Sequence, residues 1–121
     1  MYTVRVQAGF AAAHFLANYH GKCERLHGHN YRVRVTATGA SLDGGGMLLD
    51  FGVLKGALKD ILAQFDHSCL NDHPAFSDGN PSAERIAAFV GERMMAALPA
   101  ARISRVEVFE TDTNRATWSP D

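Results

Sequence analysis

The chain has 121 residues, which suits one domain spanning residues 1–121 rather than two. Its net charge of −1, with 12 basic and 13 acidic residues intermixed, gives no footing for a nucleic-acid groove or an anionic membrane surface. A 46% hydrophobic share supports an ordinary core, but so short a chain buries only a modest fraction of its surface, and self-association is the expected remedy.

Residues 2–14 read as a strand, because Tyr2, Val4, Val6, Ala8, Phe10 and Ala12 share one parity while Thr3, Arg5 and Gln7 take the other. His14 continues the apolar parity unless a bulge near Gly9 shifts it. This opening segment contains no continuous apolar run, which argues against a secretory signal or a membrane span and for a cytoplasmic protein. In that reducing compartment Cys23 and Cys69 are expected as free thiols. Residues 15–26 set no period and read as a loop. A second strand is expected from His27 to Thr38, with Tyr31, Val33, Val35 and Ala37 on its apolar face and Arg32, Arg34 and Thr36 on the other.

Asp43-Gly44-Gly45-Gly46 predicts a turn, and Met47-Leu48-Leu49 a short strand returning from it. Asp50 suits a helix N-cap, and Phe51, Leu54, Leu58, Ile61, Leu62 and Phe65 then recur at helical spacing. Residues 66–79 are polar and irregular. Asn80-Pro81 predicts an N-cap followed by proline at the first helical position, with Ile86, Phe89, Val90, Met94 and Ala97 as the buried stripe of a second helix. Strands are expected over 103–111 and 116–119. The pattern predicts an α+β domain, a mainly antiparallel sheet with two helices on one face.

His27-Gly28-His29 carries the sharpest chemical signal, since side chains two apart on a strand share a face. His14 ends the preceding strand with the same apolar parity, and consecutive strands usually pair, so three imidazoles converge. Three nitrogen ligands with a fourth position open is the arrangement of a catalytic zinc. Any one of these histidines alone reads more simply as a hydrogen-bonded core or surface residue; the pair in register with a third favours metal. His20 and His73 are alternative ligands, but each sits in a polar loop where solvation is the simpler role.

Cys23 lies in a loop with Lys22 and Arg25, close to the expected metal, and both influences favour a thiolate able to act as base or nucleophile. An inert small hydrophobe is an equal reading there, and the better one for Cys69. Asp66-His67 follows the first helix, and a carboxylate beside an imidazole makes a proton-transfer unit, although neighbours in sequence often point apart. Glu110 shares the parity of Val106 and Val108, so a carboxylate is expected on the buried side. It could accept two parallel hydrogen bonds from an amino-pyrimidine edge, or pair with Arg105 or Arg115. Glu84 stands at the start of the second helix, where it favours the dipole.

Phe10-Ala11-Ala12-Ala13-His14-Phe15 and Cys23-Glu24-Arg25-Leu26-His27-Gly28-His29-Asn30-Tyr31 resemble the 6-pyruvoyl-tetrahydropterin synthase and 6-carboxy-tetrahydropterin synthase superfamily. Leu49-Asp50-Phe51, Phe65-Asp66-His67 with Leu70-Asn71, Asn80-Pro81-Ser82-Ala83-Glu84 and Glu110-Thr111 follow in that family's order, so the likeness covers nearly the whole chain. Arg85 stands where the family often has asparagine. The resemblance implies a tunnelling fold whose subunits join their sheets into a β-barrel, usually as hexamers made of two trimers. It implies zinc on His14, His27 and His29, Cys23 as proton acceptor, and Asp66 with His67 as a proton relay that a neighbouring subunit can supply. Glu110 is implied as the pterin anchor, with Glu84 and Ser82 lining the pocket.

Three residues separate Cys23 from His27, as in the bacterial carboxy-forming branch; the animal pyruvoyl-forming enzymes carry a longer insert. The implied reaction converts 7,8-dihydroneopterin triphosphate to 6-carboxy-5,6,7,8-tetrahydropterin, releasing triphosphate and acetaldehyde for queuosine synthesis. Lys22, Arg25 and Arg115 are the candidate triphosphate cations. The rivals are the pyruvoyl product, in which no carbon is lost, and a non-catalytic module whose zinc is structural.

Overall fold

The computed structural model describes residues 1–17 and 24–121. Two long strands, β1 (Tyr2–His14) and β2 (His27–Gly39), form an antiparallel pair in unbroken register from Tyr2↔Gly39 to His14↔His27. No bulge interrupts β1 at Gly9, so the period-two parity survives to His14. Gly9 is needed there because a Cβ would stand 2.9 Å from the Tyr31 carbonyl oxygen. Helix α1 (Phe51–Leu62) follows, capped by Asp50 Oδ1 accepting from the Gly52 N–H at 2.7 Å.

The chain then adds a two-residue strand β3 (Ser68–Cys69), parallel to β1, and two short 3-10 turns, Leu70–Asp72 and Pro74–Phe76. Helix α2 (Ala83–Ala97) and the hairpin of β4 (Arg102–Phe109) and β5 (Arg115–Trp118) complete the domain. The sheet order is β3-β1-β2-β4-β5. Both helices lie on the face carrying Val6, Phe10, Val33, Val35, Val106 and Val108. Thus the expected α+β architecture of a mostly antiparallel sheet with two helices on one face is the observed one.

Local departures have local causes. Met47–Leu49 is not a strand, because the Met47 N–H and C=O are both taken by Asp43 across the 43–46 turn, and Leu48 sits instead against Gly39. The α2 cap is Ser82 rather than Asn80, its hydroxyl accepting from the Arg85 N–H. Phe51 and Ala97 lie at exposed helix ends, whereas Leu54, Leu58, Ile61, Ile86, Val90 and Met94 form the buried stripes. Segment 66–79 is less polar in space than in composition, since Leu70 and Phe76 are buried. In β4 the buried side chains change parity between Ile103 and Val106, and a register break opposite Thr36/Ala37 absorbs the change. β4 also ends at Phe109, two residues before the expected limit.

Candidate metal centre and the adjoining cleft

β1 and β2 finish together, which sets His14 opposite His27 and Ala12 opposite His29. The three imidazoles meet edge to face at the helix-side end of the sheet, with ring centroids 4.6, 5.1 and 4.8 Å apart. One ring nitrogen from each lies within 4.8 Å of the others, forming a group able to hold a metal ion. Outer hydrogen bonds fix which nitrogens are offered. His14 Nδ1 lies 2.9 Å from the Pro81 carbonyl oxygen and His27 Nδ1 lies 2.7 Å from that of Arg25. A carbonyl only accepts, so each Nδ1 carries the proton and each Nε2 lone pair stays free for an ion.

His29 Nε2 is buried and lacks any hydrogen-bond partner among the described residues. Burial pushes the His29 pKa below its ordinary value; the Glu110 carboxylate opposes this, and His14 and His27 reinforce it. The neutral imidazole is the ligating form. A cluster of three nitrogen donors, one of them partnerless, fits a borderline-soft divalent ion such as zinc.

Glu110 reaches this centre from the end of β4. Its two carboxylate oxygens each stand 3.8 Å from a histidine Nε2, Oε1 from His14 and Oε2 from His29. Neither Arg105 nor Arg115 pairs with it. Both arginines serve the buried Glu107 on the opposite face, with Arg115 Nη1 at 2.9 Å and Arg105 Nε at 3.7 Å. Arg32, Arg34 and Arg115 stack over Phe109 around that carboxylate, a cluster that the sequence pattern does not reveal. Behind the histidines lies Tyr31, packed on His29, His14 and Phe10. Its buried hydroxyl is pushed well above the ordinary tyrosine pKa by desolvation and then by Glu110.

A cleft of about 360 Å³ opens beside the centre, lined by Ser82, Glu84, Glu110, Asn114 and Arg115 among others. The structure therefore brings three expected pocket residues to one hollow. Ser82 Oγ is already engaged as the helix cap, whereas Glu84 is exposed in the first turn. A larger hollow of about 520 Å³ near Gly39 and Leu48 offers only Arg102 as a charged wall and contains no expected site residue. Arg85 turns outside the cleft lining, its guanidinium bonded to Asp78 at 2.8 Å.

Asp66 and His67 do form a unit: Asp66 Oδ2 stands 2.9 Å from His67 Nδ1, and Asp66 Oδ1 accepts from the Ala11 N–H. That N–H bond, and then the His67 ring, hold the Asp66 carboxyl below the usual carboxylate range. His67 has φ 58°, a rare value for a residue with a Cβ, and is exposed. The dyad sits on the outer edge of β1, and no hydrogen bond or ion pair joins it to the three histidines. Cys23, His20 and Lys22 lie outside the described residues. Cys69 is a free, half-buried thiol. His73 belongs to the core margin rather than the solvated loop expected for it, packed against Phe65, Phe76 and Phe89. Asn71 and Asn80, discussed below, have backbone roles that no local pattern signals.

The likeness to known proteins runs along the chain. The family described as 6-pyruvoyl tetrahydropterin synthase matches residues 3–121. The 6-carboxy-5,6,7,8-tetrahydropterin synthase of Bacillus subtilis (strain 168) is 36% identical over 91% of this chain and 80% of its own length. The protein of that name from Synechocystis is also 36% identical, over 98% and 93%. Among solved structures, the 6-pyruvoyl tetrahydropterin synthase of Caenorhabditis elegans superposes with a TM-score of 0.89 at 27% identity, covering 99% of this chain and 96% of the other. With a match over residues 3–121, relatives at 36% identity and a shared fold, the chain belongs to the 6-pyruvoyl tetrahydropterin synthase family.

Proposed function

We propose that the protein is a zinc-dependent lyase that converts 7,8-dihydroneopterin triphosphate and one water to 6-carboxy-5,6,7,8-tetrahydropterin, triphosphate and acetaldehyde, the water supplying the second carboxyl oxygen. The observation that carries this reading is the gathering of His14, His27 and His29 beside Glu110 and a cleft. His14, His27 and His29 hold zinc through their Nε2 atoms, with Nδ1 of His14 and of His27 locked by carbonyl oxygens. Zinc, when bound, supplies a Lewis acid that acidifies the side-chain hydroxyls and the carbons next to them.

The chain's own groups do the rest. Glu110 accepts two hydrogen bonds from the amino-pyrimidine edge and seats the ring, while Ser82 and Glu84 border it. Cys23 takes a side-chain proton, a role that rests on the family motif. His67, oriented by Asp66 at 2.9 Å, returns a proton at another carbon. Because the dyad lies on an open strand edge, it serves the site of a neighbouring copy in a hexamer of two trimers. The same reading carries with it a cytosolic setting and a place in queuosine synthesis.

The main rival is formation of a pyruvoyl pterin. The short spacing between Cys23 and His27, and the names of the two bacterial relatives, favour the carboxy product. Incubation of zinc-loaded protein with the triphosphate, followed by an acetaldehyde assay, separates the two. Acetaldehyde in step with triphosphate is expected; a pyruvoyl pterin with no aldehyde overturns the assignment. A structural zinc module predicts a fourth protein ligand and loss of folding on chelation, whereas the enzyme predicts a folded metal-free form that regains turnover with zinc.

A further inference from the structure

His14 is the most deeply buried of the three histidines, and it is the last residue of β1. Beyond it the backbone leaves the sheet and loses its ladder, yet Phe15 and Ala17 keep their N–H and carbonyl groups paired. The Phe15 N–H donates to Asn71 Oδ1 at 2.9 Å, and Asn71 Nδ2 donates back to the Phe15 carbonyl at 3.0 Å. Two residues on, the Ala17 N–H donates to Asn80 Oδ1 at 2.8 Å, and Asn80 Nδ2 donates to the Ala17 carbonyl at 3.0 Å.

A primary amide offers one acceptor and a donor side by side, as a neighbouring strand would, so each asparagine replaces one rung of a missing sheet. The two amides come from separate segments, one from the first 3-10 turn and one from the run into α2. They grip alternate residues. Between these clamps the Pro81 carbonyl accepts from His14 Nδ1 at 2.9 Å, so Asn80 and Pro81 fix Ala17 and the His14 ring from one side.

We propose that Asn80 and Asn71 are positioning residues of the metal centre: they hold residues 15–17 in place so that His14 Nε2 is presented before any ion arrives. The proposal rests on reading His14, His27 and His29 as metal ligands. A helix cap or turn-former would explain neither amide, because the α2 cap is Ser82 and both asparagine side chains spend donor and acceptor on residues 15 and 17, more than fifty positions away in sequence. The consequence concerns affinity. Without a clamp, the ligand must be ordered when the ion binds; loss of a direct outer-shell partner typically weakens a metal site 10- to 100-fold, and the asparagines act one step further out, at the lower end of that range.

The test is a titration of zinc into the metal-free chain against a chromophoric chelator, for wild type, Asn80→Ala and Asn71→Ala, with melting of each metal-free form in parallel. The expected result is a zinc Kd raised about tenfold in each variant. The metal-free melting temperatures should fall modestly, each variant losing two backbone hydrogen bonds, and the gain in melting temperature on adding zinc should shrink as well. Asn80→Asp, which keeps the acceptor for the Ala17 N–H but loses the donor, is expected between wild type and alanine, and it carries the test if Asn80→Ala does not fold. Unchanged Kd in folded variants overturns the clamp alone. A wild-type chain that takes up no zinc removes the ligand reading itself.

Discussion

Glu110 stands 3.8 Å from two histidine nitrogens of the candidate metal centre and also lines the cleft, so two roles compete for one carboxylate. As a ring anchor it needs its charge and both oxygens; as a metal ligand it needs only one oxygen near the ion. Glu110→Gln distinguishes them, because it keeps the shape and one acceptor. With charge-assisted hydrogen bonds contributing about 1.5–3 kcal/mol, the anchor role predicts a loss of roughly ten- to a hundredfold in kcat/KM. Zinc Kd should change little; a weakening of Kd that matches the loss of turnover would reassign Glu110 to the metal. Both it and the histidines were legible because a strand repeats every two residues, so parity alone assigns a face. Asn71 and Asn80 were not, since their partners lie 56 and 63 positions away and leave no local trace. Glu107 was equally hidden. Parity gives it to the face away from the helices, where burial is produced by arginines gathered over Phe109 from two strands, β2 and β5.

At the scale of elements, long periodic segments declare themselves and short ones do not. β1, β2 and α1 have enough repeats for the pattern to exceed chance, whereas the two residues of β3 are a strand only because Ala12 and Ala13 are there to receive them. The neighbouring Pro74–Phe76 turn depends on His73, whose Nδ1 accepts from the Ala75 N–H at 3.0 Å while Nε2–H donates to Gln64 at 2.8 Å. That pairing requires a neutral ring. Burial, and next the Arg93 guanidinium, hold the His73 pKa below its ordinary 6.5. Since the folded value lies under the unfolded one, unfolding takes up a proton; the stabilisation is complete above about pH 6.5 and is lost as pH falls below it. His73→Asn retains an acceptor for Ala75 but cannot titrate. Its melting temperature should trail wild type at pH 8, and the gap should narrow by pH 5.5. A gap that stays constant over that interval would mean that His73 contributes through packing on Phe65, Phe76 and Phe89 alone.

For the whole molecule, the sheet is the unfinished part. β1 uses its outer edge only near Ala11–Ala13, where the Asp66–His67 dyad and β3 dock, and the four residues of β5 border the other side. Ala11 directs both its N–H and its carbonyl to that outer edge, towards Asp66 and the His67 N–H. By alternation Gln7, four residues earlier, turns its backbone groups the same way, with no strand among the described residues to receive them. An open edge of this length, with no proline in β1 to blunt it, favours pairing with another sheet. A second copy presenting β5 would extend the sheet and bring its own cleft towards the exposed dyad, as the proposed hexamer requires. Gln7→Pro tests this while leaving the β1–β2 backbone ladder intact, because the lost N–H faces outward and proline is tolerated on an edge; it also removes the Gln7 Oε1 acceptor of Arg34 Nε, so Gln7→Ala is the control for that loss. Sedimentation of wild type should give a multiple of the 121-residue chain mass, and the variant a smaller species with depressed turnover although it still binds zinc. If the variant assembles like wild type, copies do not pair through this edge, and the dyad must reach a site by another route; if it falls apart yet keeps full turnover, the dyad on β1 takes no part in the reaction.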